Sequence, residues 1–403
     1  MHKSLFRSKL RSFCLKVFSV ATTGFLLFSC TSDTYDYSTI TQQATLADYS
    51  KNQESSKELA NKIKNARSQG LTIVHLGDSH TAADLLTGQT RRVLQQKLGT
   101  GALGYIEPMQ VPGQGNALIA YSSKNVSLIN SRSKHDYDYP FGGYIASFNA
   151  KGTVAYTARN NYQIPFSDLK IMARCTETSS CSLTISSDVG TSDLSIQSSN
   201  WAVYSVFVKG NFRLSANNNL EVAGLYLANN KGVSYSAIGS NGATIYHLNT
   251  WNNNWQEQLK LLKPDLIILS YGTNESFNEK LNAKAYSQDY AKLIAKLRNA
   301  TDAQILIMSN PDYLNLGINR NLNNAYCNHQ QATTVNLLHD TLRQVAQQNN
   351  TLFWDWRATM GGACSALTYI KDGRMRKDGV HFSLEAYKSF GTSLANDLLS
   401  LAK

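Results

Sequence analysis

The chain has 403 residues, more than one ordinary domain needs, so its length favours two folded units or one domain with a large insertion. Hydrophobic residues make up 42% and charged residues 17% of the sequence, which allows a sizeable core and excludes a mainly disordered chain. The formal net charge is +11, but five basic residues precede residue 30, where no acidic residue occurs. The remaining excess is mild and lacks a long basic run, so it indicates an anionic surface such as a cell wall and no nucleic-acid partner.

The first 29 residues have the order of an export signal, with basic residues, an apolar stretch over 17–28 and then Ser29 and Cys30. The stretch is too short and too polar for a membrane span, and no later segment is apolar enough to cross a bilayer. Its end, Leu-Phe-Ser-Cys, resembles a bacterial lipobox, which implies a lipoprotein signal peptide over 1–29 and a lipid anchor on Cys30. The alternative is a cleaved signal peptide in which Cys30 is incidental. We expect a periplasmic or outer-membrane lipoprotein of a Gram-negative bacterium, exported in either case.

The segment after the signal predicts a tether followed by a helix, a strand and a turn. Residues 30–54 are assigned to the tether because their first part is rich in Thr, Ser and Gln. Apolar residues recur at helical spacing over about 48–68, which predicts a helix. The β-branched residues of 71–76 predict a buried strand. The turn Gly77-Asp-Ser-His follows, and helical spacing returns over 82–98.

A β-rich segment comes next, which we assign to residues 105–235. Short alternating runs are separated by Asn, Ser and Gly, and no long helical pattern interrupts them. This texture is typical of a β-sandwich. After it, strands and helices alternate up to a closing helix at 385–401, which indicates a parallel sheet covered on both faces. The β-rich segment is therefore predicted to be an insertion in an α/β domain formed by 55–104 and 236–403.

Four cysteines remain beyond the signal region, an even number in an oxidising compartment. Cys175 with Cys181 would close a short loop in the β-rich segment, and Cys327 with Cys364 would join two later loops. Free thiols are the alternative for each pair. No Cys-x-x-Cys or His-rich cluster is present, so the sequence predicts no metal site.

Ser79 follows the first predicted parallel strand, at the sheet edge where open α/β folds place their sites. A serine needs a base to become a nucleophile. Near the other end of the chain, Asp378 precedes His381 by three residues, so the carboxylate can hold one imidazole nitrogen while the other faces a serine. Either piece alone is a weak signal, because Gly-Asp-Ser turns and Asp-x-x-His caps are common.

Two further positions strengthen the hypothesis. Asn274 follows the strand predicted at 265–270, and its amide can donate to an oxyanion from the same sheet edge. Gly242 stands where the α/β pattern resumes, and a glycine there lets the backbone approach a substrate and donate its N–H.

The four blocks around Ser79, Gly242, Asn274 and the Asp378–His381 pair resemble those of the SGNH (GDSL-like) hydrolases. This resemblance implies a three-layer α/β/α fold, a catalytic triad of Ser79, Asp378 and His381, and an oxyanion hole of Ser79, Gly242 and Asn274. Glu275 departs from the family pattern, which commonly has Asp after the Asn.

The extended first block, Gly77 to Asp84, is more closely similar to that of bacterial peptidoglycan O-acetylesterases. Those enzymes carry a jelly-roll domain like a carbohydrate-binding module between the first two blocks, and the 163 residues between Ser79 and Gly242 leave room for one. The resemblance implies removal of acetyl from the C6 hydroxyl of N-acetylmuramic acid in O-acetylated peptidoglycan, with no cofactor or metal. The alternatives are an esterase or acetyltransferase acting on another envelope or dietary glycan, and a non-catalytic glycan-binding lipoprotein.

Several other residues are interpreted as structural. We expect His80 to shape the turn, Asp84 to support the site without reacting, His75 to be a hydrogen-bonded strand residue, and both tryptophan pairs to lie in the core (Trp251 with Trp255, Trp354 with Trp356). For exposed tyrosines of the β-rich segment, contact with a glycan and an ordinary surface role both stay open; the candidates are Tyr137, Tyr139 and Tyr144.

Overall fold

Two β-sheets organise the chain. The structure, a computed structural model, describes residues 45–50, 53–177, 180–217, 219–316 and 334–403. All of them belong to one compact unit, Gln43–Lys403. The first sheet has six strands in the order β1-β15-β14-β13-β2-β12. Its strands are β1 Leu46–Asp48, β2 Leu71–Gly77, β12 Val233–Gly239, β13 Leu266–Ser270, β14 Gln304–Met308 and β15 Leu352–Trp354.

Neighbouring strands of this first sheet are parallel, except that β1 pairs antiparallel with β15. Residues of β2 alternate between two cores, with Leu71 and Ile73 on one face and Val74 and Leu76 on the other. This period of two, with apolar side chains on both faces, is expected of a parallel strand buried on both faces. The predicted parallel sheet is therefore confirmed, and the chain has a mixed α/β fold.

Helices cover both faces of the first sheet. One core contains residues of α1, α3 and α8, and the other contains residues of α4 and α5. Two short helices, α6 and α7, lie between β15 and α8. The helices are α1 Glu54–Gln69, α2 Ser79–Ala82, α3 Leu86–Leu98, α4 Ala283–Ala300, α5 Thr334–Gln348, α6 Trp356–Thr359, α7 Ser365–Lys371 and α8 Leu384–Ser400. Each long helix predicted from the sequence is present, with ends shifted by a few residues.

The second sheet has nine antiparallel strands and lies, in chain order, between β2 and β12. Its strands are β3 Gly104–Ile106, β4 Ile119–Asn130, β5 Tyr144–Ala158, β6 Ser167–Cys175, β7 Cys181–Ser187, β8 Gly190–Ile196, β9 Ala202–Val208, β10 Phe212–Ala216 and β11 Leu220–Ala228. Strands such as β7 and β10 alternate buried with exposed positions and share a third apolar core. The β-rich region predicted from the alternating runs is present.

Two elements of the first sheet are not predicted by the sequence pattern. The sequence of β12 resembles those of the strands in the β-rich segment. In the structure, however, β12 pairs in parallel with β2, from Val233 opposite Leu71 to Gly239 opposite Gly77. β1 lies in the segment predicted as the tether and extends the sheet beyond β15. Among the described residues, no helix is long and apolar enough to cross a membrane.

Candidate active site

Three loops meet at the carboxyl edge of the first sheet. β2, β12 and β13 end at the same level, because Gly77 lies opposite both Gly239 and Ser270. The loops after these strands carry Ser79, Gly242 and Asn274, respectively. Strand pairing alone therefore gathers three of the predicted site residues, at the edge where parallel sheets usually bind ligands.

Ser79 is the first residue of the short helix α2, directly after β2. Asp78 caps this helix, because its Oδ1 accepts the His80 N–H at 2.9 Å. Gly77 has to be small, since a Cβ atom there would lie 2.1 Å from Thr81 Oγ1 and 2.9 Å from the Ser270 carbonyl oxygen. The turn is thus packed tightly against β13, and it holds the Ser79 backbone at the sheet edge.

Asp378 and His381 lie in a tight loop before α8. The Asp378 Oδ1 accepts both the Val380 and the His381 N–H, each at 2.9 Å. Gly379 has φ +76°, and a Cβ atom there would lie 2.7 Å from the Leu314 carbonyl oxygen, so glycine is required. These contacts hold the loop in place independently of the contacts that the His381 imidazole makes with other elements.

A hydrogen-bonded series connects the two ends of the chain. Ser79 Oγ lies 2.9 Å from His381 Nε2, and His381 Nδ1 lies 2.9 Å from Asp378 Oδ2. Desolvation alone would raise the pKa of Asp378, but hydrogen bonds from two backbone N–H groups and from the imidazole outweigh it, so its pKa lies below the ordinary value. An ionised Asp378 keeps the proton on Nδ1 and leaves Nε2 to accept the serine proton.

Gly242 and Asn274 lie beside this series. Gly242 has φ +70°, a conformation that favours glycine. Asn274 Nδ2 donates to the Ala243 carbonyl oxygen at 2.9 Å and lies 3.5 Å from Asp78 Oδ2. One amide hydrogen of Asn274 therefore holds the loop of Gly242, and the other is directed toward the Ser79 turn. This arrangement is suited to stabilising negative charge on an oxygen next to Ser79.

Comparison with protein families agrees with the geometry. Residues 101–212 match the profile described as "Peptidoglycan O-acetylesterase, N-terminal", and residues 213–388 match that of the GDSL-like Lipase/Acylhydrolase family. The chain belongs to the SGNH hydrolases. Within them it falls in the peptidoglycan O-acetylesterase family, which confirms the resemblance stated from the four blocks. The second match includes Gly242, Asn274, Asp378 and His381, while Ser79 precedes both matches. No curated protein matches the chain.

Among solved structures, one described as a peptidoglycan O-acetylesterase in action at 5 min is 28% identical to this SGNH hydrolase. The match covers 89% of this chain and 99% of that chain, with a TM-score of 0.79. A family two carbohydrate esterase from Cellvibrio japonicus is 9% identical, with 70% and 100% covered and a TM-score of 0.30. A CBM35 from Paenibacillus barcinonensis is 13% identical, with 27% and 92% covered and a TM-score of 0.22. The last two scores are too low to bear on fold or function.

Two buried carboxyl groups near the site of this SGNH hydrolase, those of Glu275 and Asp78, were given no structural role by the sequence reasoning. Glu275 accepts the Ile245 N–H at 2.9 Å and the Gly272 N–H at 3.0 Å, so it joins the loop after Gly242 to the loop after β13. Burial raises its pKa to about 7, against these hydrogen bonds, which lower it. Burial and, to a smaller extent, Glu275 raise the pKa of Asp78 to about 7 as well. Glu275 therefore holds two loops together, a role that its sequence position next to Asn274 does not indicate.

The loop that carries Gly242 is also supported from the β-rich region. Tyr144 OH lies 3.1 Å from Ser240 Oγ, and Gln114 Nε2 donates to Tyr144 OH at 2.6 Å and to the Gly239 carbonyl oxygen at 2.8 Å. Asn241 Nδ2 donates to the Gly113 carbonyl oxygen at 3.1 Å. The contacts with Gly239, Ser240 and Asn241 span 96 to 128 positions of sequence, so only the folded chain reveals them.

The interpretation of the tyrosines as exposed aromatic residues is wrong for two of them. Tyr139 is 0% and Tyr144 6% exposed, because both rings pack where the β-rich region meets the first sheet. Tyr137 is partly buried, and Lys134 Nζ lies 3.7 Å from its ring centroid. Its hydroxyl donates to Glu221. A sugar ring therefore has no access to Tyr139 or Tyr144, and it would compete with Lys134 at Tyr137.

The other side chains that we interpreted as structural are buried. His80 Nδ1 lies 2.7 Å from Tyr387 OH, and burial lowers its pKa to about 3, so it is no general base. Asp84 forms a buried ion pair with Arg91 and accepts the Ala117 N–H at 2.7 Å. His75 Nδ1 lies 2.7 Å from Tyr235 OH. The four tryptophans also lie in the core, as predicted: Trp251, Trp255, Trp354 and Trp356.

The cysteines are placed as follows. Cys175 and Cys181 form a disulfide with a Cα–Cα distance of 5.7 Å, between the end of β6 and the start of β7. Cys364 is disulfide-bonded as well. Its predicted partner, Cys327, lies outside the described residues, as does Cys30. Within the described ranges, no group of three or more His, Cys, Asp or Glu side chains is arranged to hold a metal ion.

Proposed function

We propose that this SGNH esterase removes O-acetyl groups from peptidoglycan, at the C6 hydroxyl of N-acetylmuramic acid. The observation that carries the chemistry is the series from Ser79 through His381 to Asp378, with heavy-atom distances of 2.9 Å. The substrate is supported by the family match over residues 101–212 and by the similarity to a solved peptidoglycan O-acetylesterase.

In the first step, Ser79 Oγ attacks the acetyl carbonyl carbon. His381 Nε2 accepts the serine proton as the new C–O bond forms, and Asp378 stabilises the resulting imidazolium. His381 then gives this proton to the sugar oxygen as the ester bond breaks. The deacetylated sugar leaves, and the acetyl group stays on Ser79.

The carbonyl oxygen gains negative charge in this step. We assign its stabilisation to the N–H groups of Ser79 and Gly242 and to the side-chain amide of Asn274. Ser79 begins the helix α2, and backbone N–H groups at such a position favour an anion. The hydrogen bond from Asn274 to the Ala243 carbonyl oxygen keeps two of these donors in a fixed relation.

The second step returns the enzyme to its starting state. Water gives a proton to His381 Nε2 and attacks the acetyl carbon on Ser79, and acetate leaves as His381 returns the proton to Ser79 Oγ. An acceptor hydroxyl in place of this water would give acetyl transfer by the same residues. Acetate release and acetyl transfer therefore have to be measured separately.

We further propose that the β-rich region is an inserted jelly-roll domain that contributes to glycan binding. Its nine antiparallel strands lie between β2 and β12, and its residues Gln114 and Tyr144 contact the loop of Gly242. A long glycan held near Ser79 would therefore lie close to this region.

For location, we propose export and a lipid anchor on Cys30, in a periplasmic or outer-membrane protein. The support is the sequence of residues 1–30 alone. Radiolabelled palmitate should be incorporated into the wild-type protein and not into Cys30→Ser, and the variant should move from the membrane to the soluble fraction. If Cys30→Ser carried no label but stayed in the membrane fraction as fully as the wild type, the lipid anchor would be contradicted.

The function is tested by acetate release from O-acetylated peptidoglycan, O-acetylated xylan and p-nitrophenyl acetate. Wild-type protein should release acetate from peptidoglycan with a higher kcat/KM than from xylan, and Ser79→Ala should release none. Chitooligosaccharides added as acceptors would reveal acetyl transfer by mass spectrometry. A preference for xylan, or transfer that exceeds acetate release, would refute the proposed function.

A further inference from the structure

A guanidinium group from the β-rich region lies against the candidate oxyanion loop. A Cβ atom built on Gly242 would lie 3.2 Å from Arg132 Nη2 and 3.3 Å from Nη1. The guanidinium thus lies directly beside Gly242, whose φ of +70° already favours glycine. Arg132 belongs to none of the four blocks that resemble the SGNH hydrolases, and the proposed acetyl chemistry does not require it.

The backbone of Arg132 is held in place although its side chain is exposed. Asn130 ends β4, and its Oδ1 accepts the Arg132 N–H at 2.9 Å and the Ser133 N–H at 3.2 Å. The preceding residue, Ser131, donates its N–H to the Gly143 carbonyl oxygen. The turn is therefore anchored to both β4 and the segment before β5, and it presents Arg132 at a defined place beside Gly242.

Arg132 lies close enough to His247 to act on it electrostatically. The pKa of His247 is lowered to about 4, first by burial and then by the positive charge of Arg132. In the part of the chain that the structure describes, no carboxylate forms an ion pair with Arg132. A positive potential without a protein counter-ion favours an anion from solution.

We infer that Arg132 binds a carboxylate of the substrate, carried close to the acetyl ester. This inference rests on the proposed function and adds to it the substrate class, namely acetylated sugars that also carry a negative charge. Arginine suits this role because its planar guanidinium can donate two parallel hydrogen bonds to a carboxylate.

Two carboxylates in peptidoglycan have this chemistry. One belongs to the lactyl ether of muramic acid where no peptide is attached, and the other belongs to the attached peptide. N-acetylglucosamine has neither, although its ring is otherwise the same as that of N-acetylmuramic acid. Comparing N-acetylglucosamine with N-acetylmuramic acid and with a muramyl peptide therefore separates the contribution of the charge from that of the sugar.

The test measures dissociation constants by ligand-observed NMR, so that it does not depend on hydrolysis. The ligands are N-acetylglucosamine, N-acetylmuramic acid and N-acetylmuramyl-L-alanyl-D-glutamate. Arg132→Gln is compared with wild-type protein and with Arg159→Gln, an exposed arginine that follows the opposite end of β5. The kcat/KM for p-nitrophenyl acetate is measured on the same samples.

Wild-type protein should bind at least one of the two anionic ligands about five- to tenfold more tightly than N-acetylglucosamine, the effect of one charge-assisted hydrogen-bonded pair. Arg132→Gln should lose this preference while Arg159→Gln keeps it, and kcat/KM for p-nitrophenyl acetate should be unchanged in both. A preference for N-acetylmuramic acid assigns the lactyl carboxylate, and a preference for the dipeptide derivative alone assigns the peptide.

Equal affinities in the wild type, or a preference that survives in Arg132→Gln, would overturn the inference. A fall in kcat for p-nitrophenyl acetate in Arg132→Gln would also overturn it, since the cation would then act on the oxyanion of every ester. Failure of the proposed function has a different signature, because the charge preference would persist without acetate release from peptidoglycan.

Discussion

Replacing Tyr144 by phenylalanine removes one hydroxyl from the contact between the β-rich region and the Gly242 loop. Tyr144 OH lies 3.1 Å from Ser240 Oγ and accepts from Gln114 Nε2 at 2.6 Å. Each neutral hydrogen bond contributes about 1 kcal/mol, and a buried polar group left without a partner costs about 1–3 kcal/mol. We therefore expect the free energy of unfolding to fall by about 1–3 kcal/mol.

The same change should slow catalysis on every ester. The Gly242 N–H becomes less well positioned for the oxyanion, and a rise of about 1–2 kcal/mol in the activation free energy corresponds to a roughly 5- to 30-fold fall in kcat. Complete loss of one donor costs about 10²–10³-fold, which sets the upper limit. KM should change little, because the Gly242 donor acts mainly in the transition state.

The assay compares kcat and KM on O-acetylated peptidoglycan and p-nitrophenyl acetate. Tyr156→Phe is a matched control, because Tyr156 is buried in the same strand and donates to the Pro108 carbonyl oxygen at 2.6 Å, outside the Gly242 loop. It should lower stability without changing kcat. A Tyr144→Phe protein impaired on peptidoglycan alone would refute the bracing role and assign the hydroxyl to glycan binding.

Three further predictions concern the loops around Ser79. Ser79→Ala should abolish ester hydrolysis and leave the fold intact, as measured by acetate release and circular dichroism; substantial remaining activity would contradict the nucleophile. Asn274→Ala should lower kcat by about 10²–10³-fold with little change in KM, and a rise in KM alone would indicate substrate binding instead. Asp78→Asn should change how stability depends on pH. Because the pKa of Asp78 is raised from 3.8 to about 7, the wild-type protein loses stability as the pH rises through this interval. Asparagine does not titrate, so urea unfolding should show that the stability of the variant rises relative to that of the wild type between pH 5 and pH 8, by at most roughly 3 kcal/mol; parallel pH profiles would contradict the raised pKa.

The positions of the four blocks and the type of most elements could be predicted from the sequence. Strands such as 71–76 and 265–270 could be predicted because burial on both faces demands a continuous apolar run, a local property. Asp378 and His381 could be paired because a three-residue spacing lets one tight loop hold both. Family resemblance then followed, since each block is a short motif at the end of a strand.

The tertiary structure decided which distant residues meet. Ser79 and His381 are 302 positions apart, and their 2.9 Å contact depends on the strand order of the first sheet and on the packing of α8. In the sequence Glu275 is only a departure from the family pattern, but in the structure it is buried and joins two loops. No local sequence pattern predicts the contact with Ile245, because that residue lies 30 positions away in the loop after β12.

The same reason explains the errors on β12 and on the tyrosines. β12 has the composition of an antiparallel strand, and only its pairing with β2 assigns it to the parallel sheet. Tyr144 begins β5 and is followed by Ile145 and Ala146, so no polar–apolar alternation assigns its face there. Its burial depends on the first sheet packing against that face, which also brings Arg132 to Gly242. The sequence shows which side chains alternate along a strand. The packing of one sheet against the other determines which of them can contact the substrate.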